Sequence, residues 1–269
     1  DIEPHRLDNQ YRNKQPESKD VIFHYVGRKA LIKGKDTLEF LHYADMPEGL
    51  EYIYLISIDE ISYFLVKGNE ELKIDGYEYV NMFTIRSFSS KKEILAVVTG
   101  YHLYSWYRDN AYCGRCGRKT YLDDKERMLR CTCGNMIFPR IVPAVIVGVK
   151  NGNQILLTKY RNREYTRYAL IAGFTEIGES LEQTVQREVM EEVGLKVKNI
   201  QYYKSQPWGF DMDLLAGFFC DVDDNTEICL DEDELSIGQW HNREDIPEYD
   251  EELSLTYDMM MAFKKGVIQ

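Results

Sequence analysis

The sequence predicts a mixed α/β protein, and three observations carry that prediction. Its first part alternates strand-like runs with one helical segment, a cluster of cysteines follows, and its last part pairs strands with an amphipathic helix. We therefore divide the 269 residues into an amino-terminal α+β domain at 1–110, a four-cysteine segment at 111–140 and an α/β domain at 141–269.

The first part is predicted from two changes of hydrophobic period. The runs Val21 to Tyr25 and Glu51 to Val66 are rich in Tyr, Ile, Leu and Phe, with the alternation of half-buried strands. From about Lys91 to Asp109 apolar residues recur every three and four positions, which predicts a helix with one apolar face.

Composition narrows the function classes. Acidic residues outnumber basic ones by 45 to 33, which gives a net charge of −12. A general duplex-DNA binder needs a surplus of Lys and Arg, so that class is disfavoured. The sequence shows no run of apolar residues long enough to cross a membrane and no apolar signal-peptide core near its first residue. We expect a cytoplasmic protein.

Four cysteines lie close together, as two short pairs separated by fourteen residues. They are Cys113, Cys116, Cys131 and Cys133. Two chelating pairs of thiolates complete a closed, tetrahedral zinc site of the structural type. Two disulfides or free thiols are the alternatives. The isolated Cys220 and Cys229 are expected to be buried strand residues.

The cysteine segment is also basic. Between Cys113 and Arg140 seven Lys and Arg residues face three acidic ones, so this segment is +4 and the rest of the chain is −16. A solvated surface explains such a charge, and a docking patch for a phosphate chain or RNA is the alternative.

The last part begins with a predicted hairpin. Apolar residues from Ile141 to Val149 and from Gln154 to Thr158 flank a turn at Asn151-Gly152-Asn153. Ser180 and Gln183 then form a capping-box pattern, and Gly194 stands where a left-handed cap would end a helix. These signals predict a helix over about 181–193.

That helix carries the chemistry. Glu188, Glu191 and Glu192 fall in an arc of roughly 100° beside the apolar stripe rather than opposite it, with Glu192 overlapping the stripe. Carboxylates crowded against an apolar surface repel one another unless a cation joins them. Hard oxygen ligands suit Mg²⁺ or Mn²⁺, which take phosphate oxygens and water as remaining ligands. The helix therefore indicates divalent-metal phosphate chemistry.

One motif now fits a known family. The pattern reads Gly173-x5-Glu179-x7-Arg187-Glu188-Val189-x-Glu191-Glu192-x-Gly194-Leu195, and it matches the Nudix box at every fixed position. The chain resembles the Nudix hydrolases, which cleave nucleoside diphosphates linked to another moiety. The resemblance implies an α/β/α sandwich with a mixed sheet for residues 141–269.

The four cysteines before that domain and Ser205-Gln206-Pro207-Trp208 after the box resemble the NADH pyrophosphatase branch of the family. That branch hydrolyses NAD(H) to AMP and nicotinamide mononucleotide and removes NAD caps from RNA, and it implies a homodimer. The chain departs from the branch's signature at residues 209–213 and in the Cys131-x-Cys133 spacing. A broader Nudix hydrolase of ADP-ribose or diadenosine polyphosphates is the alternative. A non-catalytic zinc-ribbon RNA-binding protein is a third interpretation, which the complete box disfavours.

The resemblance also implies residue roles. The metal ligands would be Glu188, Glu192, Glu234 and the carbonyl of Ala172, with Glu191 as a ligand or the orienter of water. Glu179 and Arg187 would pair to hold the box in shape. Substrate contacts would come from aromatic, polar and backbone positions: Phe138, Phe174, Gln206, Pro207, Trp208, Gly209, Phe210, Asp213, Thr256 and Arg86.

Overall fold

The computed structural model describes residues 2–34, 38–68, 70–88, 90–162, 166–249 and 253–268. The chain divides into two compact units. The first comprises residues 1–140 together with 209–212, and the second comprises residues 141–208 and 213–269.

Where the structure describes the first unit, its strands form three small sheets. Its strands are β1 (Leu7–Asp8), β2 (Val21–Phe23), β3 (Tyr25–Val26), β4 (Lys29–Ile32), β5 (Leu41–His42), β6 (Tyr52–Ile58), β7 (Ile61–Val66), β8 (Glu78–Asn81), β9 (Tyr121–Leu122), β10 (Leu129–Arg130) and β11 (Met136–Ile137). They pair in the orders β1-β6-β7-β2-β5, β3-β4-β8 and β11-β10-β9, the last within the cysteine segment.

Among the described residues of this unit, the α-helices are α1 (Met82–Ile85) and α2 (Lys91–Asp109). The sequence predicts α2 at these bounds but gives it a single apolar face. In the structure its buried positions include the consecutive runs 96–98 and 103–106, so the helix is buried on most sides. The sheet that contains β6 and β7 packs against α2, and so does the cysteine segment at 111–140, hereafter the ribbon. A helix covered in this way does not need a polar face over its whole length.

The second unit is built on a six-stranded mixed sheet. Its strands are β12 (Val142–Asn151), β13 (Gln154–Tyr160), β14 (Ile171–Phe174), β15 (Val197–Trp208), β16 (Asp213–Val222) and β17 (Leu235–Asn242), in the order β15-β16-β12-β13-β17 with β14 paired to β12. The pair β12 and β16 is parallel and the other pairs are antiparallel. The predicted hairpin is confirmed, because Asn151 pairs with Gln154.

Helices α3 (Leu181–Val193) and α4 (Leu255–Lys264) pack with opposite faces of this sheet. Val145 and Val147 of β12 join the cluster that contains α3, whereas Ile146 joins the cluster that contains α4. This alternation is the period-2 pattern of a strand buried on both faces. The unit is therefore an α/β/α sandwich with a mixed sheet, as expected. Among the described residues, no helix is long and apolar enough to cross a membrane.

Candidate active site and metal sites

Helix α3 begins and ends where its sequence signals place it. The Gln183 N–H donates to Ser180 Oγ at 3.3 Å, and the Ser180 N–H donates to Gln183 Oε1 at 2.8 Å. Gly194 adopts φ 69° and closes the helix by donating to the Met190 carbonyl at 3.0 Å. Both caps satisfy backbone groups that a helix end leaves unpaired. Because the ends are fixed, the three glutamates have defined directions.

Glu192 points inward, as its overlap with the apolar stripe predicts. Glu192 is only 4% exposed, and Val185, Val189 and Val193 of the same helix are fully buried. A carboxylate at this depth loses its hydration and is stabilised by nearby positive charge. A divalent cation supplies such charge, so the donor chemistry fits the metal that the family implies.

Arg187 organises the carboxylates around it. Its Nε and Nη2 donate to the two oxygens of Glu179 at 2.6 and 2.9 Å, and its Nη1 donates to Glu188 at 2.7 Å and to Glu191 at 3.0 Å. Nη2 also donates to the Phe174 carbonyl at 2.8 Å. The hydrogen bonds from Arg187 hold the pKa of Glu179 down at about 2. Glu179 and Arg187 are thus in direct contact through both carboxylate oxygens.

The pKa of Glu188, in contrast, is raised above its ordinary value. Burial is the largest influence and raises the pKa of Glu188, the Arg187 hydrogen bond lowers it, and the charges of Glu191 and Glu234 raise it again. These influences place Glu234 within electrostatic reach of Glu188. The region therefore gathers negative charge that a cation would relieve.

Gly173 leaves the space that Glu188 occupies. A Cβ added at position 173 would lie 1.9 Å from the Glu188 carboxyl carbon and 2.1 and 2.2 Å from its oxygens. Real Cβ atoms essentially never come within 3.0 Å of another heavy atom. The first glycine of the box is therefore required by close approach rather than by an unusual φ.

The structure does not draw these carboxylates into a tight ligand cluster. Throughout the described parts of the chain, the four cysteines form the one group of three or more His, Cys, Asp or Glu whose ligand atoms lie within 4.8 Å of one another. Glu188 and Glu191 instead share Arg187 Nη1, from which both accept a hydrogen bond.

The other expected metal ligands lie on neighbouring elements. Ala172 is in β14, opposite Ile146 of β12. Glu234 is exposed in the turn before β17, and its carbonyl accepts the Arg161 N–H at 2.8 Å.

Two of the expected aromatic contacts are open to solvent. Phe138 and Phe174 are each 54% exposed. Neither ring is therefore packed in the core. Trp208 is half-buried at the end of β15, and Phe210 is 7% exposed. Exposed rings have a free face for stacking, whereas Phe210 has little surface left to offer.

The polar positions after the box have structural partners. Gln206 donates from Nε2 to the Leu253 carbonyl at 2.7 Å, and its Oε1 accepts the Leu255 N–H at 2.8 Å, so its amide fastens β15 to the start of α4. Pro207 is exposed beside it, and Thr256 is half-buried in the first turn of α4.

The segment that departs from the branch's signature splits between the two units. Asp213 is 8% exposed at the start of β16, in the second unit. Gly209 belongs to the first unit, where an added Cβ would lie 2.7 Å from the Val98 carbonyl oxygen. Arg86, also in the first unit, lies half-buried after α1 with its guanidinium 5.3 Å from the Phe83 ring centre.

The four cysteines form the geometry of a closed metal site. Sγ of Cys113 lies 3.8 Å from that of Cys133, and Sγ of Cys116 lies 3.4 Å from that of Cys131. These separations exceed a disulfide bond of about 2.05 Å, and all four residues are free thiols. Burial raises the pKa of Cys113, but hydrogen bonds from backbone N–H groups, from Asn135 and from the Cys133 thiol lower it by more. The net result is a pKa of about 6. Thiolates at this spacing fit zinc.

The turns of this ribbon use two of its glycines. Gly117 and Gly134 adopt φ of 71° and 84°, and each donates its N–H to the carbonyl of the first cysteine in its pair. Gly114, which follows the first cysteine, has no positive φ. The ribbon's knuckles therefore need left-handed backbone at one position each.

Two basic residues of the ribbon are held by contacts within the first unit. Arg130 pairs with Asp123, and Arg127 is half-buried and donates to the Leu55 carbonyl at 2.6 Å. Burial lowers the pKa of Arg127. The remaining five basic residues are exposed: Arg115, Arg118, Lys119, Lys125 and Arg140.

One expectation about cysteine is wrong. Cys220 is fully buried in β16, as expected, but Cys229 is exposed and lies outside the strands. Its N–H donates to the Val193 carbonyl at 3.0 Å, so this segment runs past the end of α3. Its apolar neighbours in sequence, Ile228 and Leu230, pack against the core instead.

Sequence reasoning also missed partners of the Arg187 cluster. Thr184 donates from Oγ1 to Glu179 Oε2 at 3.0 Å, and the Glu176 N–H donates to the same oxygen at 3.1 Å. The spacing of four between Arg187 and Glu191 is a readable signal of a helix ion pair. Nothing in the sequence marks Thr184.

Comparisons with known proteins agree with this architecture. Residues 139–260 match the family model described as the NUDIX domain. The chain is 41% identical over 172 residues to the NAD-capped RNA hydrolase NudC of Actinobacillus succinogenes, covering 61% of this chain and 65% of that protein. It is 40% identical over 149 residues to the protein of the same name from Escherichia coli O1:K1, covering 55% and 58%. The chain thus spans less than two thirds of each relative.

Among solved structures, a NUDIX hydrolase from Nitrosomonas europaea is similar with a TM-score of 0.46 and 18% identity, covering 57% of this chain and 90% of that one. The matched residues 139–260 contain the complete box, the capped helix α3 and the Arg187 cluster. Residues 139–260 therefore form a domain of the NUDIX type, in a chain that is similar to the two NudC proteins.

Proposed function

We propose that this protein hydrolyses the pyrophosphate of NAD(H) to AMP and nicotinamide mononucleotide, with Mg²⁺ or Mn²⁺, and removes NAD caps from RNA. The observation that carries the proposal is the buried Glu192 beside the half-buried Glu188, within a complete Nudix box. Similarity to relatives named NAD-capped RNA hydrolases supports the substrate class.

The proposed metal ligands are Glu188, Glu192, Glu234 and the carbonyl of Ala172. Divalent ions bound there would neutralise the diphosphate and activate a water molecule for attack on phosphorus. Arg187 keeps Glu188 and Glu191 in place through its Nη1 hydrogen bonds. Glu179 in turn binds Arg187 through both carboxylate oxygens, so the cluster is held by a charge-assisted pair.

The proposed substrate contacts divide by chemistry. Phe138, Phe174 and Trp208 are assigned to stacking on bases, for which the exposure of Phe138 and Phe174 is the support. Arg86 is assigned to phosphate. The remaining assignments follow the resemblance alone: Gln206, Pro207, Gly209, Phe210, Asp213 and Thr256. The four cysteines are assigned a structural zinc, and we further propose a cytoplasmic homodimer.

The test is release of AMP from NADH with Mg²⁺ or Mn²⁺. We expect Glu192→Gln to lower kcat by about 100-fold or more, because a buried ligand charge is removed where the diphosphate must be neutralised. Glu182→Gln is the matched control, since Glu182 is exposed in the first turn of the same helix. Equal activity of Glu192→Gln and Glu182→Gln would contradict the proposed ligand set.

A broader Nudix hydrolase is the second candidate. Asp213 favours it, because this nearly buried residue places a carboxylate where the branch's signature has a serine, which can donate a hydrogen bond. A panel of NADH, NAD-capped RNA, ADP-ribose and diadenosine polyphosphates separates the two. Cleavage of ADP-ribose with intact NADH would overturn the first proposal in favour of the second.

A further inference from the structure

A cavity of about 560 Å³ lies within the first unit, where three elements meet. Strands β6 and β7 contribute one wall, the carboxyl-terminal half of α2 a second, and ribbon residues 119–122 and 129 the third. This volume is in the range of about 300–1,000 Å³ that holds small molecules. None of its lining residues carries a role in the proposed hydrolysis.

The inner part of the cavity is apolar and aromatic. Ile53, Leu65 and Leu129 are buried there, at 8%, 3% and 4% exposure. Tyr104 and Tyr107 enter from α2, and Tyr121 of the ribbon lines the cavity while half exposed, at 50%. A planar aromatic group would find a desolvated apolar surface here and the exposed ring of Tyr121, whereas the Tyr104 ring already stacks on Tyr25.

The outer part of the cavity is positive. Its charged lining residues are Lys67, Arg108 and Lys119, all exposed, against the single acid Glu51. Lys67 pairs with Glu51 at 2.8 Å and Arg108 pairs with Asp109 at 2.7 Å, while the Arg108 guanidinium lies 5.4 Å from the centre of the Tyr104 ring. In a chain of net charge −12, the exposed Lys119, together with these two ion-paired cations, offers positive charge beside aromatic rings, which suits an aromatic anion.

We propose that this cavity binds a nucleotide, with the base against the tyrosines and the phosphate among the cations. Base stacking on aromatic side chains tolerates any base, and Lys and Arg bind phosphate oxygens through charge-assisted hydrogen bonds. The nucleotide has two sources, a free mononucleotide or a nucleotide within an RNA chain. Binding here is separate from hydrolysis in the Nudix domain.

The test is photolabelling of the full chain with 8-azido-AMP, followed by mass mapping of the labelled peptides. We expect label on the peptide that contains Tyr121 or Tyr107, with protection by unlabelled AMP. Tyr121→Ala and Lys119→Glu should each reduce this label by about tenfold. Tyr112→Ala and Lys125→Glu are matched controls, since both residues are exposed on the same ribbon but do not line the cavity.

Competitors identify the ligand chemistry and its source. Protection by AMP but not by adenosine or inorganic phosphate supports a base and a phosphate bound together. Better protection by a short RNA with a 5′ hydroxyl assigns the site to an RNA chain, and better protection by AMP assigns it to a free nucleotide. Protection by inorganic phosphate as strong as by AMP would overturn the role of the tyrosines.

Folding is followed through zinc content and circular dichroism, and Lys67→Gln replaces Lys119→Glu should that variant fail to fold. Absence of label in the first unit, or full label in a folded Lys119→Glu protein, overturns the proposal. NADH hydrolysis by the same samples and label on Nudix-domain peptides are read separately. A failure of the proposed hydrolysis is thereby distinguished from a failure of this site.

Discussion

Replacing Gly173 by Ala tests whether the position of Glu188 governs catalysis. The added Cβ would lie 1.9 Å from the Glu188 carboxyl carbon, and 3.0 Å is the closest approach that real Cβ atoms make. The carboxyl group must therefore move by at least 3.0 − 1.9 = 1.1 Å. Its Oε1 cannot follow freely, since Arg187 Nη1 donates to it at 2.7 Å.

The expected effects on stability and on rate differ in size. Overpacking of a filled site costs about 1–3 kcal/mol, and the lower end applies because the atoms that must move end a flexible side chain. Misplacement of a catalytic group by about 1 Å costs about 100-fold in rate. We therefore expect a folded Gly173→Ala protein with greatly reduced kcat.

The assay pairs urea unfolding with the rate of NADH hydrolysis in Mn²⁺, or with that of whichever substrate of the panel is cleaved. Water-proton relaxation measures Mn²⁺ affinity independently, and it should weaken in the same variant. Gly114→Ala is the control, because an added Cβ there meets no atom within 4 Å. A Gly173→Ala protein with unchanged rate and Mn²⁺ affinity would refute the reasoning.

Three further outcomes are expected. Arg187 holds the pKa of Glu179 at about 2, against an ordinary value of 4.5. The Glu179–Arg187 pair therefore contributes fully to the free energy of unfolding above about pH 4.5, and this contribution is lost as the pH falls toward 2. The difference in urea unfolding free energy between wild type and Glu179→Gln should narrow over that window, and a constant difference would contradict it. Purified protein should contain about one zinc ion per chain. Both the Cys131→Ser substitution and a chelator should remove this zinc and lower Tm. Mass spectrometry that finds no zinc in the reduced protein would contradict the assignment of a zinc site. Iodoacetamide should modify Cys229 and spare Cys220 in the folded protein, because burial raises the pKa of Cys220 to about 12. Equal modification of the two cysteines, measured by peptide mass mapping, would contradict this prediction.

Local signals were sufficient for the secondary structure that positions the site. The capping box at Ser180 and the glycine at 194 set the bounds of α3, and the turn at 151–153 set the hairpin of β12 and β13. Each of these signals is a hydrogen-bonding or φ requirement of a few neighbouring residues. Such requirements are met before any distant part of the chain is involved, so they can be read from a short stretch of sequence.

Other features depended on distant neighbours. Helix α2 has an apolar face in its sequence, yet it is buried on most sides because the surrounding elements cover it. Cys229 looks like a strand residue, yet it lies exposed while Ile228 and Leu230 pack inward. Neither outcome is encoded within a few residues, because burial depends on what packs against an element.

The sequence by itself determined the match to the Nudix box, the spacing of the box carboxylates and the grouping of four cysteines into two short pairs, because these are patterns along one chain segment. The tertiary structure alone decided how the carboxylates are arranged. It gave Arg187 three glutamate partners at once and left the Cβ space at Gly173 to Glu188. Those outcomes arise where β14 meets α3, and contact between separate elements is what a linear pattern does not record.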